Sequence, residues 1–99
     1  MQETLKVLLI DDHPLMRRGI KQLVELDDNF EVIADVGGGA EGISIALQTS
    51  PDLIILDLNM KGLSGLDTLK GLRAEGVDAR IVILTVSDAK NDIYTLIDA

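Results

Sequence analysis

Four short apolar runs, largely of leucine and β-branched residues, divide this chain at intervals of roughly 25 residues, and a segment with helical spacing follows each run. Runs of this length, bounded by turn-forming residues, predict strands that are buried on both faces. The predicted strands cover residues 5–10, 31–36, 53–56 and 80–84. Strands that alternate with helices predict an α/β domain whose parallel sheet is covered on both faces.

Three of the intervening segments are predicted helices. Pro14 suits the first turn of the first helix, because its missing N–H is not needed there. Leu15, Ile20, Leu23 and Val24 form the apolar side of this helix, whose pattern fades near residue 27. Two more helices are predicted at residues 40–48 and 66–74. Right-handed crossovers then give a doubly wound sheet.

A fourth helix is predicted near the end of the chain. Ser87 or Asp88 would cap it, and Ile93, Leu96 and Ile97 would form its apolar side. A sheet that closed with a bare fourth strand would leave an apolar edge uncovered. We therefore expect residues 1–99 to be one domain that is truncated at its C-terminus.

Composition excludes several classes of site and partner. The chain has no cysteine and one histidine, so a bound metal should be a hard cation on oxygen ligands. A net charge of −8 argues against direct nucleic-acid binding by this domain. No apolar run approaches the roughly 20 residues of a membrane span, and the N-terminus lacks a signal peptide pattern. We expect a cytoplasmic protein.

Polar residues follow the predicted strands at the edge where parallel strands end. Asp11 and Asp12 follow the first strand, Asp57 follows the third, and Thr85 follows the fourth. In open parallel sheets, ligands bind outside these strand ends. Carboxylates that converge there repel one another unless a divalent cation neutralises them, and Mg²⁺ prefers such oxygen ligands. An aspartate beside Mg²⁺ can act as the nucleophile in phosphoryl transfer.

Other interpretations of these residues stay open. Each aspartate taken alone is an ordinary strand-end or cap residue. Gly37, Gly39 and Gly42 match a dinucleotide-binding pattern, but they follow the second strand, which is expected at the sheet edge. We interpret them as a flexible turn.

The first helix and the residue before it offer two further candidates. His13 is a possible ligand or proton carrier, although a lone histidine before proline is more often a surface residue. Arg17, Arg18 and Lys21 form a small basic patch, which is either a solvated face or a docking site for an acidic partner.

Three short motifs resemble the signatures of response regulator receiver domains. They are Ile-Asp-Asp-His-Pro at residues 10–14, Leu-Asp-Leu-Asn-Met at residues 56–60, and Leu-Thr at residues 84–85. The resemblance covers the whole chain. It is closest to the NarL/FixJ branch and, in residues 57–69, to its nitrate/nitrite regulators. It implies a flavodoxin-like sheet with strand order 2-1-3-4, in which the family's fifth strand and fifth helix are missing.

The resemblance also implies roles for single residues. Asp57 is the phosphoacceptor and a Mg²⁺ ligand, Asp12 binds Mg²⁺ directly, and Asp11 assists through water. The backbone carbonyl of Asn59 is a further ligand, and Thr85 is the switch hydroxyl. The donor is a phosphohistidine on a sensor histidine kinase. Full-length relatives regulate transcription, here of nitrate/nitrite respiration genes, through a C-terminal helix-turn-helix domain that this chain lacks. Homodimers are possible.

The chain departs from the family pattern in two places. Lys61 stands where most receivers have proline, a change that does not involve the ligands. The essential lysine of the family's fifth strand is missing, so this 99-residue form is expected to accept phosphate poorly. The leading interpretation is a signalling switch rather than an enzyme. The alternatives are an aspartyl phosphohydrolase, which would need an acid where Asn59 stands, a receiver-like module that only dimerises, or a fragment prepared for folding studies.

Overall fold

The computed structural model describes residues 4–58, 60, 64–86 and 94–98, which form one mixed sheet with helices on both sides. In chain order the elements are β1 (Leu5–Ile10), α1 (Pro14–Glu25), β2 (Phe30–Val36), α2 (Gly39–Thr49), β3 (Leu53–Asp57), α3 (Gly65–Ala74), β4 (Arg80–Val86) and β5 (Tyr94–Asp98). The strand order is β2-β1-β3-β4-β5. The first four are parallel, as predicted, and β5 is antiparallel to β4.

Alternate residues of β3 serve the two faces of the sheet. Ile54 and Leu56 are fully buried in the core on the side of α2 and α3, where Ala46 and Leu72 pack against it. Leu53 and Ile55 face α1 on the other side. Successive residues of a strand point to opposite faces of the sheet. Because both faces are covered here, every position of this run is apolar.

Helix α1 covers its face of the sheet less completely than the sequence suggests. Leu15 is 86% exposed and Leu23 is 68% exposed, and α1 contains no buried residue. An apolar groove of about 770 Å³ lies between α1 and the sheet. The residues that line it are Met16, Gly19, Ile20, Leu23, Val24, Leu53, Ile55, Val82 and Leu84. Helical spacing therefore identified the apolar side of α1 but overestimated its burial.

The predicted fourth helix is wrong where the structure can be compared with it. The segment Tyr94–Asp98 is β5, and its backbone pairs with β4 from Tyr94 opposite Val86 to Asp98 opposite Val82. The edge of β4 presents unpaired backbone groups, and antiparallel pairing satisfies them. Aromatic and β-branched residues in this segment also favour a strand. Ser87, Asp88 and Ile93 lie outside the described residues.

Two of the strands extend further than predicted at their carboxyl ends, which matters for the site. β3 includes Asp57 and β4 continues through Thr85 to Val86, so both polar residues belong to strands rather than to the loops that follow. Among the residues that the structure describes, no helix has the length and apolar character needed to span a bilayer.

Candidate metal and phosphoacceptor site

The carboxyl ends of β1 and β3 bring three aspartates together. Ile10 of β1 pairs with Leu56 of β3, so Asp11 and Asp57 occupy the next positions on neighbouring strands. The Asp11 N–H donates to the carbonyl of Val36 at 3.0 Å, which fixes its backbone against β2. Side chains of Asp11 and Asp57 are fully buried, and that of Asp12 is 16% exposed.

His13 contacts all three carboxylates. Its Nδ1 lies 3.1 Å from Oδ1 of Asp11, 3.0 Å from Oδ1 of Asp12 and 3.2 Å from Oδ2 of Asp57. Its backbone N–H also donates to Oδ1 of Asp11 at 2.8 Å. The ring is 53% exposed, so it connects a buried anionic cluster with solvent.

Electrostatics shift two groups in this cluster. Burial raises the pKa of Asp11 above its ordinary 3.8, and the charge of Asp57 adds to the shift, although the N–H of His13 opposes it. The carboxylate of Asp11 raises the pKa of His13 above 6.5 through its hydrogen bond, with Asp12 and Asp57 contributing in the same direction. The cluster therefore favours a positive charge on the ring, and it favours any other cation that reaches the carboxylates.

Arg17 connects the backbone of Asp11 to the side chain of Asp35. Its Nη1 donates to the carbonyl of Asp11 at 2.9 Å, and its Nε lies 3.1 Å from Oδ1 of Asp35 on β2. Lys21 also approaches Asp35, at 3.5 Å. A Cβ at Gly37 would lie 2.8 Å from Nη1 of Arg17, so the glycine leaves room for the guanidinium. Arg17 and Lys21 thus bind within the domain rather than forming a free basic face.

The start of α3 packs against the backbone beside Asp57. A Cβ on Gly65 would lie 2.6 Å from the carbonyl oxygen of Asp57 and 2.4 Å from Cα of Leu58. Ser64 caps α3, because its Oγ accepts from the N–H of Asp67 at 3.1 Å. This close approach sets the position of the last residue of β3.

The residues present suit a hard dication. Ligand atoms of Asp11, Asp12, His13 and Asp57 all lie within 4.8 Å of one another. Oδ2 of Asp11 is buried and has no hydrogen-bond partner among the residues that the structure describes. A buried carboxylate oxygen without a donor is costly, and a cation removes that cost. The cluster can therefore hold a metal ion.

The predicted site residues divide into three groups. Asp11, Asp12 and Asp57 converge, as the strand ends predicted. Thr85 follows Leu84, which pairs with Asp57. The side chain of Thr85 lies outside the part of the chain that the structure describes. Asn59 lies outside the described residues.

Sequence reasoning undervalued His13 and Arg17. His13 is half exposed, as a surface residue would be, yet it contacts all three carboxylates. Its position directly after the Asp-Asp pair was the available signal. Nothing in the sequence indicated the contact of Arg17 with Asp35, because that contact depends on the position of β2 beside β1.

A comparison with protein families gives an independent result. The family model described as the response regulator receiver domain matches residues 7–99. This match covers all but the first six residues of the chain.

Curated proteins with similar sequences are regulators. A nitrate/nitrite response regulator protein homolog from Haemophilus influenzae is 91% identical over 100% of this chain and 48% of its own length. The nitrate/nitrite response regulator protein NarP of Escherichia coli is 60% identical over 95% of this chain and 44% of its own length. The chain thus spans about half the length of these relatives.

Solved structures with a similar fold include receiver domains. A two-component response regulator of the LuxR family from Aurantimonas is 30% identical, has a TM-score of 0.81, and is matched over 87% of this chain and 61% of its own. The signal receiver domain of the putative response regulator NarL from Mycobacterium tuberculosis is 26% identical with a TM-score of 0.81, over 89% of this chain and 71% of its own.

Proposed function

The chain belongs to the response regulator receiver domain family, and from that premise we propose that it accepts a phosphoryl group on Asp57 in a Mg²⁺-dependent reaction. The donor is a phosphohistidine on a sensor histidine kinase. The observation that carries the proposal is the convergence of Asp11, Asp12 and Asp57 at the carboxyl edge of the sheet, with ligand atoms within 4.8 Å.

The proposed reaction uses the carboxylate of Asp57 as a nucleophile. One of its oxygens bonds to phosphorus, the phosphorus–nitrogen bond of the donor breaks, and the donor imidazole leaves with the bonding electron pair and takes up a proton. The product is an acyl phosphate on Asp57. The buried position of this carboxylate suits the reaction, because electrostatic stabilisation of a transferring phosphoryl group is strongest where water is excluded.

The carboxylates of Asp12 and Asp57 and the backbone carbonyl of Asn59 are the proposed direct Mg²⁺ ligands, and Asp11 is proposed to assist through a bound water. When bound, Mg²⁺ neutralises the carboxylates and the phosphoryl oxygens, so that two anions can approach each other. The hydroxyl of Thr85 is proposed to bond a phosphoryl oxygen, since its backbone lies on the strand next to β3. Movement of that hydroxyl is the proposed start of the switch.

The similar regulators suggest a biological role for the whole protein. We propose that residues 1–99 serve as the receiver in a cytoplasmic two-component system that regulates transcription in response to nitrate or nitrite. Contact with DNA would involve a C-terminal helix-turn-helix domain, and we propose that the receiver can form homodimers. The domain acts as a switch that modifies itself, not as an enzyme on a separate substrate.

Labelling with a small phosphoryl donor tests the proposal. The chain is incubated with phosphoramidate and Mg²⁺, and the added phosphoryl mass is measured by intact-mass spectrometry and located by peptide mapping. We expect labelling at Asp57 that EDTA abolishes and that Asp57→Asn removes. The decisive quantity is the ratio of wild-type labelling to variant labelling.

Asp28→Asn is the matched control, because Asp28 is an exposed aspartate in the turn before β2, at the opposite edge of the sheet from the cluster. It should label as the wild type does. Equal labelling of Asp57→Asn and wild type, or labelling that does not respond to EDTA, would contradict the proposed reaction.

A further inference from the structure

The acidic cluster contains one group that an oxygen-ligated magnesium site does not require. The imidazole of His13 places Nδ1 at 3.0–3.2 Å from one oxygen of each aspartate. His13 also belongs to the group of four residues whose ligand atoms lie within 4.8 Å of one another. Since transition-metal bonds to nitrogen and oxygen measure about 2.0–2.2 Å, a single ion can contact the imidazole and the carboxylates after small side-chain shifts.

A second observation points to a cation at the same place. Asp11 is fully buried, and its Oδ2 has no hydrogen-bond partner among the described residues. The other oxygen of this carboxylate accepts from the backbone N–H of His13 at 2.8 Å, which holds the histidine next to the cluster. The backbone of His13 is therefore held beside Asp11, which keeps the ring within reach of the carboxylates.

The chemistry of the donor set determines which ions it prefers. Three carboxylates alone suit Mg²⁺, Ca²⁺ or Mn²⁺, whereas an added imidazole suits Ni²⁺, Cu²⁺ or Zn²⁺. Affinity of a mixed nitrogen and oxygen site also rises along the series from Mn²⁺ to Cu²⁺. His13 is the only histidine of the chain and there is no cysteine, so no other imidazole or thiolate competes for such an ion.

We propose that His13 is a metal ligand that lets the acidic cluster take a late first-row transition-metal dication, such as Ni²⁺ or Cu²⁺, in preference to Mg²⁺. The proposal rests on the Mg²⁺ site proposed above, because both ions use the carboxylates of Asp12 and Asp57. On binding, Nδ1 supplies the lone pair and the ring proton resides on Nε2. A transition-metal ion bound in this way excludes Mg²⁺ from the cluster.

Titration calorimetry with Mg²⁺ and with Ni²⁺ tests the ligand role of His13. The chain is used without an affinity tag, and wild type is compared with His13→Ala. We expect wild type to bind Ni²⁺ at least tenfold more tightly than Mg²⁺, and His13→Ala to reduce the Ni²⁺-to-Mg²⁺ affinity ratio by at least tenfold. Gln22→Ala, an exposed change on α1, is the control and should keep the wild-type ratio.

Electron paramagnetic resonance of the Cu²⁺-loaded wild type supplies a readout that does not depend on any variant of His13. Pulsed spectra should contain the remote-nitrogen signal of a coordinated imidazole, which has only one source in this chain. Excess Mg²⁺ should weaken that signal by competition, and Asp12→Asn should weaken Cu²⁺ binding.

The outcomes separate the two proposals. If Mg²⁺ binds and Asp57 is labelled, but the imidazole signal is absent and the affinity ratio is the same in His13→Ala, the ligand role of His13 is overturned and the receiver function stands. If the imidazole signal is present while Asp57 is not labelled, the receiver function fails and the metal site stands. If His13→Ala does not fold, the spectra of wild type decide.

Discussion

The Nδ1 atom of His13 lies 3.2 Å from Oδ2 of Asp57, although 44 positions separate the two residues in the sequence. This contact joins the start of α1 to the end of β3. It exists because β1 and β3 are parallel neighbours, so that residues which follow one strand meet residues which end the other. The imidazole therefore acts as an internal countercharge for carboxylates that would otherwise repel one another.

The first prediction concerns the pH dependence of stability in EDTA. The pKa of His13 is raised in the folded chain, so its contribution is fully present below the unfolded value of 6.5 and is lost as pH rises through the folded value. The raised pKa of Asp11 acts in the same direction in a lower range, starting at 3.8. We expect the urea midpoint to fall as pH increases from 6.5 upwards, and His13→Gln to flatten this fall. A wild-type midpoint that is constant over this range would contradict the prediction.

The second prediction is that Asp11→Asn reverses its effect when Mg²⁺ is added. In EDTA the substitution removes a buried charge beside Asp57 and retains an oxygen that can accept from the N–H of His13, so we expect stabilisation on the order of 1 kcal/mol. Mg²⁺ at 100 times its dissociation constant should stabilise wild type by about 2.7 kcal/mol and the variant much less. Urea unfolding in both conditions measures the two differences.

Asp28→Asn serves as the control for this reversal, because its side chain is exposed. It should change the free energy of unfolding by less than about 0.5 kcal/mol in either condition. Equal Mg²⁺ stabilisation of Asp11→Asn and wild type would show that Asp11 does not contribute to the metal site.

The third prediction concerns Gly65. An added Cβ would meet the backbone of Asp57 and Leu58 at 2.4–2.6 Å, so α3 must shift away from β3. We expect Gly65→Ala to destabilise the chain by about 1–3 kcal/mol and to weaken Mg²⁺ binding through displacement of Asp57.

Gly19→Ala provides the matched comparison, because a Cβ at Gly19 has no heavy atom within 4 Å and alanine favours the interior of α1. It should stabilise the chain by up to about 1 kcal/mol. If both alanine variants gained stability alike, the close approach at Gly65 would not constrain the site.

The fourth prediction separates two neighbouring arginines. Arg17→Ala removes the hydrogen bond to the carbonyl of Asp11 and the ion pair with Asp35, and we expect a loss of about 1–2 kcal/mol together with weaker Mg²⁺ binding. Arg18→Ala removes an exposed side chain and should change stability by less than about 0.5 kcal/mol. Thermal unfolding and calorimetry of both variants provide the test, and equal effects would argue against a stabilising role for the contacts of Arg17 with Asp11 and Asp35.

The sequence did not predict how far the apolar side of α1 is buried. The apolar side of α1 was correctly identified, but Leu15 and Leu23 remain exposed beside an open groove. The pattern shows which side of a helix is apolar. Whether anything covers that side depends on the other elements, and here Leu53, Ile55 and Val82, which lie opposite α1, are only partly buried.

The sequence by itself determined the alternation of strands and helices, the parallel direction of the first four strands and the placement of Asp11, Asp12 and Asp57 at the carboxyl edge of the sheet. These follow from local periodicity and from the geometry of parallel strands, whose carboxyl ends share one side of the sheet. Only the tertiary structure decided the rest. Residues 94–98 are a strand because the edge of β4 offers hydrogen bonds that a short isolated helix cannot replace. His13 and Arg17 gain their roles because each contacts groups that only the strand order brings near.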